Sequence, residues 1–166
     1  MISHAITGGI NGIPNIPGDK SISHRSIIIP SISNGICEIN NILKSDDVLH
    51  TLNAFKAMGV KILEQRDKLV IYGKGLNSLK ETKNKIYLGN SGTSARLLTG
   101  LLSSQNFKSV LTGDKSLSKR PMNRISEPLN NMNARIITTN GSLPLTIEGS
   151  FSTCKKYRYG ISHDLF

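Results

Sequence analysis

Ile86-Tyr87-Leu88-Gly89-Asn90-Ser91-Gly92-Thr93-Ser94-Ala95-Arg96-Leu97-Leu98 reads as a strand, a tight turn and the start of a helix within 13 residues. Ile86 to Leu88 suit a short buried strand. Gly89-Asn90-Ser91-Gly92 contains only turn-forming residues. From about Thr93 to Ser104 the leucines Leu97, Leu98, Leu101 and Leu102 recur at helical spacing and are expected to share one face. The same order occurs earlier. Ile13 to Ile16 reads as a strand and Pro17-Gly18-Asp19-Lys20 as a turn, and a helix is expected with Ser21 as its N-cap, running to about Ser33. Pro30 falls inside that helix and removes a hydrogen bond, so the helix either bends there or ends sooner.

Working outward from these two steps, each is followed by the same elements. After the first come a strand near Ile36 to Ile42 and a helix opened by Ser45-Asp46-Asp47, with Val48, Leu49, Leu52 and Phe55 as its apolar stripe and Gly59 as its stop. A hairpin follows, Val60 to Leu63 and Leu69 to Tyr72, turning at Arg66-Asp67-Lys68. After the second come a strand at Val110 and Leu111, a helix expected to begin at Pro121 and end near Asn133, and a hairpin of Ala134 to Thr138 with Leu145 to Ile147. Met58-Gly59-Val60-Lys61-Ile62 is echoed by Met132-Asn133-Ala134-Arg135-Ile136. The chain is thus read as α/β, built from repeated β-α-β-α-β-β units with a period of roughly 70 residues. Residues 18–80 form the first unit and 81–150 the second.

Composition points to the charge of the partner. With 21 Lys+Arg against 11 Asp+Glu, the 166 residues carry a net charge of +10, which calls for an anionic ligand. Aromatic residues are only 5%, and Tyr72 and Tyr87 do not interleave with the basic residues as a base-stacking platform would, but composition alone leaves nucleic acid, an acidic surface and a phosphorylated small molecule open. Lys80, Lys83 and Lys85 are expected on solvated faces. No apolar run approaches the roughly 20 residues of a membrane span, and Met1-Ile2-Ser3-His4 does not open a signal peptide. Cys37 and Cys154 have no metal-type spacing and read as idle thiols of a reducing cytoplasm.

The chemistry gathers at matching turns. In unit one Gly18-Asp19-Lys20-Ser21 precedes Arg25, and in unit two Asn90-Ser91-Gly92-Thr93 precedes Arg96. Ser21 to Arg25 and Gly92 to Arg96 are the same step of four residues, about one helical turn. A helix N-terminus offers free N–H groups and partial positive charge to a phosphate or carboxylate. Lysine adds a point charge and arginine a bidentate fork. Taken singly, each string is more often a capped turn than a site, and Gly-x-Lys-Ser lacks the upstream glycine of a nucleotide P-loop. A third basic knot, Leu117-Ser118-Lys119-Arg120-Pro121, precedes another helix start and taken alone reads as a solvated loop.

Three longer strings carry a resemblance. Pro17-Gly18-Asp19-Lys20-Ser21-Ile22-Ser23-His24-Arg25 resembles the N-terminal signature of 5-enolpyruvylshikimate-3-phosphate synthases. Leu88-Gly89-Asn90-Ser91-Gly92-Thr93-Ser94-Ala95-Arg96 resembles their second signature. The run from Leu111 to Met122, Leu-Thr-Gly-Asp-Lys-Ser-Leu-Ser-Lys-Arg-Pro-Met, is similar to the third. The resemblance covers about residues 5 to 148, in order. The related enolpyruvyl transferase of cell-wall synthesis shares the fold but not these strings. The resemblance implies the enolpyruvyl transferase fold, with two of the usual six units present and with residues 1–17 belonging to strands of the other lobe.

It also implies an activity: transfer of the enolpyruvyl group of phosphoenolpyruvate to the 5-hydroxyl of 3-phosphoshikimate, in the cytoplasmic route to chorismate and the aromatic amino acids, with no metal and no organic cofactor implied. By position, Lys20, Ser21 and Arg25 are expected to hold 3-phosphoshikimate. Lys20, Gly92 and Arg120 are expected to hold phosphoenolpyruvate, with Asn90, Thr93 and Arg96 supporting that pocket. The family's Ser-Ser-Gln or Ser-Ala-Gln triplet is expected soon after Ile147, but residues 151–166 read instead as a divergent tail. The catalytic Asp and Glu of the second lobe have no counterpart, since turn, cap and surface roles explain Asp19, Asp46, Asp47, Asp114 and Glu127 better. Three readings follow in order: a truncated synthase inactive alone, a half-enzyme needing a separately made C-terminal chain, and a non-enzymatic basic module for anions or nucleic acid.

Overall fold

A computed structural model describes residues 12–14, 16–66 and 68–149. The first unit comprises α1 (Lys20–Ile32), β1 (Asn34–Asn40), α2 (Asp46–Ala57), β2 (Lys61–Glu64) and β3 (Lys68–Lys74). Its sheet has the order β1-β3-β2, both pairings antiparallel. The second comprises β4 (Ile86–Tyr87), α3 (Gly92–Ser103), β5 (Lys108–Thr112), α4 (Asn123–Asn131), β6 (Arg135–Thr139) and β7 (Ser142–Glu148). Its order is β4-β5-β7-β6, with β4 parallel to β5 and the rest antiparallel. β1, β3 and β2 therefore correspond to β5, β7 and β6, and the repeat seen in the sequence is a repeat of topology.

The helix stops show the same equivalence in atomic detail. Gly59 (φ +87°) and Asn133 (φ +72°) are the left-handed residues after α2 and α4. In each unit the next amide returns to the helix, Val60 N–H to the Phe55 carbonyl at 3.0 Å and Ala134 N–H to the Leu129 carbonyl at 2.9 Å. Gly and Asn are the residues that tolerate this conformation, so the Met-Gly and Met-Asn echo has a backbone cause.

Periodicity selects the buried faces. In α2 the buried side chains are Val48, Thr51, Leu52, Ala54 and Phe55, a helical stripe, while Asp46 and Asp47 sit in the first turn against the helix dipole. Ser45 precedes the helix as expected, but its hydroxyl is buried without a partner and caps nothing. Ile27, Phe55 and Ile71 from unit one and Leu98, Leu111 and Leu145 from unit two, each 0% exposed, belong to one apolar core shared by both units. Lys80, Lys83 and Lys85 are exposed, as expected.

Several expectations need correction. Ile13, Pro14 and Ile16 form no strand, and Ile13 and Ile16 are exposed, because their apolar side chains meet no partner among the described residues. The N-cap of α1 is Asp19, not Ser21, since the Asp19 carboxylate accepts the Ile22 amide at 2.7 Å. α1 runs through Pro30 to Ile32, its last turn tightened by the Ser33 amide bonding to the Pro30 carbonyl at 3.3 Å. Leu97 is exposed, and the buried face of α3 is Ser94, Ala95, Leu98, Thr99 and Leu102. Leu97 lies about 100° of helical rotation from Leu98, and the small residues turn inward instead. α4 begins at Asn123 rather than Pro121. A 3-10 turn, Leu117–Lys119, comes first, and the buried Met122 gives its amide to the Gly141 carbonyl at 2.8 Å.

Candidate anion-binding site

The N-terminal end of α3 is built around a glycine. Ser91 caps the helix, its hydroxyl accepting the Ser94 amide at 3.2 Å, and Gly92 is the first helical residue. A Cβ on Gly92 would lie 2.9 Å from Nη1 of Arg120 and 3.0 Å from Nη1 of Arg96. Both guanidinium groups therefore lie over the bare Cα of Gly92, at the positive N-terminal end of α3. Arg120 is held there by donating from Nη2 to Asn90 Oδ1 at 2.6 Å. Arg96 reaches the Pro121 carbonyl at 3.5 Å. Four ion pairs form among the described residues, and none uses Arg25, Arg96 or Arg120. Two arginines drawn together without a carboxylate between them leave positive charge unanswered, which an anion can answer.

Arg120 is placed by tertiary contacts. The Asp114 amide donates to the Gly89 carbonyl at 2.9 Å, and the Asp114 carboxylate accepts the Leu117 amide at 2.7 Å. Leu117, fully buried, anchors the 3-10 turn. The basic knot that reads as a solvated loop is thus tied to the Gly89–Gly92 turn and delivers Arg120 to it.

At the matching end of α1, Lys20 forms an ion pair with Asp47 at the start of α2. Ser23 accepts the Leu43 amide at 3.0 Å and donates to the Asp19 carbonyl at 2.7 Å, fixing the loop before α2 against this helix end. Ser21 and Arg25 are exposed. The caps also correct the alignment of the two helices. With Asp19 matched to Ser91, Arg25 corresponds to Leu97, and the counterpart of Arg96 is His24. Arg25 is turned about 100° from the Arg96 position. It lines a groove of about 460 Å³ with Ile22, Ile29 and Cys37.

Between the two helix ends lies a buried polar chain that periodicity does not signal. His24 Nδ1 is 2.8 Å from Thr51 Oγ1, which is 2.5 Å from Ser94 Oγ, which is 2.6 Å from Ser91 Oγ. Burial holds the His24 imidazole below the usual histidine value; the nearby Lys20 ammonium pushes the same way and Asp47 opposes it. A groove of about 710 Å³ lies elsewhere, between α2 and residues 80–87, where the ring of His50 meets Tyr87 edge-on at 5.2 Å. Among the described residues no three His, Cys, Asp or Glu side chains cluster to hold a metal, and no helix is long and apolar enough to cross a membrane.

A model of the EPSP synthase family (3-phosphoshikimate 1-carboxyvinyltransferase) matches residues 5–163. The chain belongs to the EPSP synthase family. It is 52% identical over 143 residues to the 3-phosphoshikimate 1-carboxyvinyltransferase of Ruthia magnifica subsp. Calyptogena magnifica, covering 86% of this chain and 33% of that protein. To the enzyme of the same name from Oenococcus oeni it is 50% identical over 142 residues, or 85% of this chain and 32% of that one. A solved EPSP synthase from Acinetobacter baumannii superposes with a TM-score of 0.85 at 47% identity, over 89% of this chain and 34% of the other. The chain therefore spans about a third of the length of the curated relatives it matches. The three signature strings all lie within the matched span of this EPSP synthase family member, and the fold is the one the resemblance implies.

Proposed function

We propose that this chain supplies the anion-gripping part of a 3-phosphoshikimate 1-carboxyvinyltransferase, which moves the enolpyruvyl group of phosphoenolpyruvate onto the 5-hydroxyl of 3-phosphoshikimate and releases phosphate. The observation that carries the reading is the convergence of Arg96 and Arg120 on Gly92 at a helix N-terminus. In this reading Gly92, Arg120 and Lys20 hold phosphoenolpyruvate, and Asn90, Thr93 and Arg96 support that pocket. Lys20, Ser21 and Arg25 hold 3-phosphoshikimate. The task of the cluster is electrostatic: it gathers two multiply charged substrates and favours charge that develops between them. Phosphorylated metabolites as ligands are in keeping with a cytoplasmic protein.

The addition and elimination that the reaction requires also need proton donors and acceptors beside the substrates. The carboxylates near the cluster are committed elsewhere: Asp19 and Asp114 accept backbone amides, and Asp47 pairs with Lys20. By this reading the chain binds but does not turn over alone; the alternative is a half-enzyme, for which mixing with a separate C-terminal chain would have to restore activity.

Isothermal titration of the full chain with 3-phosphoshikimate, then with phosphoenolpyruvate, tests the binding, alongside Arg120→Ala. Binding that the substitution weakens supports the reading. No binding of either ligand, or binding indifferent to Arg120, refutes it. Phosphate release from both substrates by the chain alone would refute its inactivity, and salt-sensitive DNA or RNA binding without substrate binding would favour the nucleic-acid module.

A further inference from the structure

We infer that His24, Thr51 and Ser94 are positioning residues whose buried hydrogen-bond chain sets the N-terminal end of α3 against that of α1, so that Lys20 and the Gly92–Arg120 cluster face one ligand. The inference rests on the function proposed above and adds to it the device that brings its two halves together.

The connectivity is continuous. Lys20 on α1 pairs with Asp47 on α2, and the Asp47 carbonyl lies 3.3 Å from Thr51 Oγ1, one turn along the same helix. Thr51 meets both His24 of α1 and Ser94 of α3, and Ser94 meets Ser91, the cap adjoining Gly92. Ser94 Oγ also lies 3.4 Å from His24 Nδ1. Thr51–Ser94 and Ser94–His24 are, among the described residues, the two side-chain hydrogen bonds that cross between the units.

The protons can be ordered along the chain. His24 Nε2 is buried without a partner, so a neutral ring with its proton on Nδ1 fits the surroundings. Nδ1–H then donates to Thr51, Thr51 to Ser94, and Ser94 to Ser91, whose oxygen also receives the Ser94 amide. His24, Thr51 and Ser94 are each 0% exposed. Apolar side chains of similar shape would fill such a site without loss of packing, but they would set no unique register between the helices. A hydrogen-bonded polar chain does, because any slip strands a buried donor.

The test compares Thr51→Val, which removes the hydroxyl and keeps the shape, with Thr51→Ser, which keeps the hydroxyl. Ser94→Ala breaks the chain on its other side if Thr51→Val does not fold. The probes are phosphoenolpyruvate, which in this reading needs both helix ends, and inorganic phosphate, which needs only the Arg96–Arg120 pair. Thr51→Val is expected to weaken phosphoenolpyruvate binding about tenfold, to leave phosphate affinity within about twofold, and to be rescued by Thr51→Ser. Equal loss for both probes, or no loss for either, overturns the inference.

If the wild-type chain binds neither probe, the functional reading fails and the clamp is judged by hydrogen exchange. Faster exchange at the Ser94 and Ala95 amides in Thr51→Val, with the β6–β7 amides unchanged, upholds the clamp. Unchanged exchange at those two amides overturns it.

Discussion

Replacing Gly92 by alanine separates the site from the fold. The added methyl falls within 3.0 Å of the guanidinium groups of both Arg96 and Arg120. Those atoms are the far ends of flexible side chains, so they swing aside rather than strain the backbone. Gly92 is the first residue of α3, where alanine is a better helix former by up to about 1 kcal/mol. Stability should therefore hold or rise slightly, with a melting temperature within about 4 °C of wild type. Anion affinity should fall. Displacing one charge-assisted hydrogen bond costs about 1.5–3 kcal/mol, or roughly tenfold to a hundredfold in Kd. Titration of phosphoenolpyruvate against both proteins, with a melt on the same samples, reads the two effects separately. Unchanged affinity in Gly92→Ala would refute the placement of the ligand over the Gly92 Cα. A large loss of melting temperature would refute the claim that the arginines yield.

Arg120→Lys keeps the charge and loses the fork that also holds Asn90, so binding should weaken markedly with little change in melting temperature, as read by titration and melt together. Asp114→Ala removes the acceptor of the Leu117 amide, and is expected to cost about 1 kcal/mol in a denaturant melt and to weaken anion binding by misplacing Arg120. Phe55→Ala opens the shared core and should cost about 3–5 kcal/mol by urea denaturation, destabilising both units in one transition. His24 carries the pH prediction. Its folded-state value lies below the unfolded value near 6.5, so the unfolded chain binds the proton first. Its contribution to stability is complete above pH about 6.5 and is lost as pH falls below it, with a slope of at most about 1.4 kcal/mol per unit. Melts of wild type and His24→Asn between pH 7.5 and 5.5 should converge as pH falls, and parallel curves would refute this.

The repeat, its order of elements and the apolar stripe of α2 were legible in the sequence because they depend on local periodicity and turn chemistry. Val48, Leu52 and Phe55 announce α2 by spacing, and Gly59 and Asn133 announce its end and that of α4 by their tolerance of positive φ. The strings around Lys20, Gly92 and Arg120 were equally legible, by resemblance. Tertiary structure decided the rest. Asp19 rather than Ser21 caps α1, which turns Arg25 away from the position that Arg96 takes on α3. Leu117, by burying itself, carries Arg120 across to Gly92 from a loop that reads as solvent-facing. His24, Thr51 and Ser94 carry no periodic signal, yet they join the two units, because a hydrogen bond between residues 70 positions apart is set by where helices pack and not by what stands beside each residue in the chain.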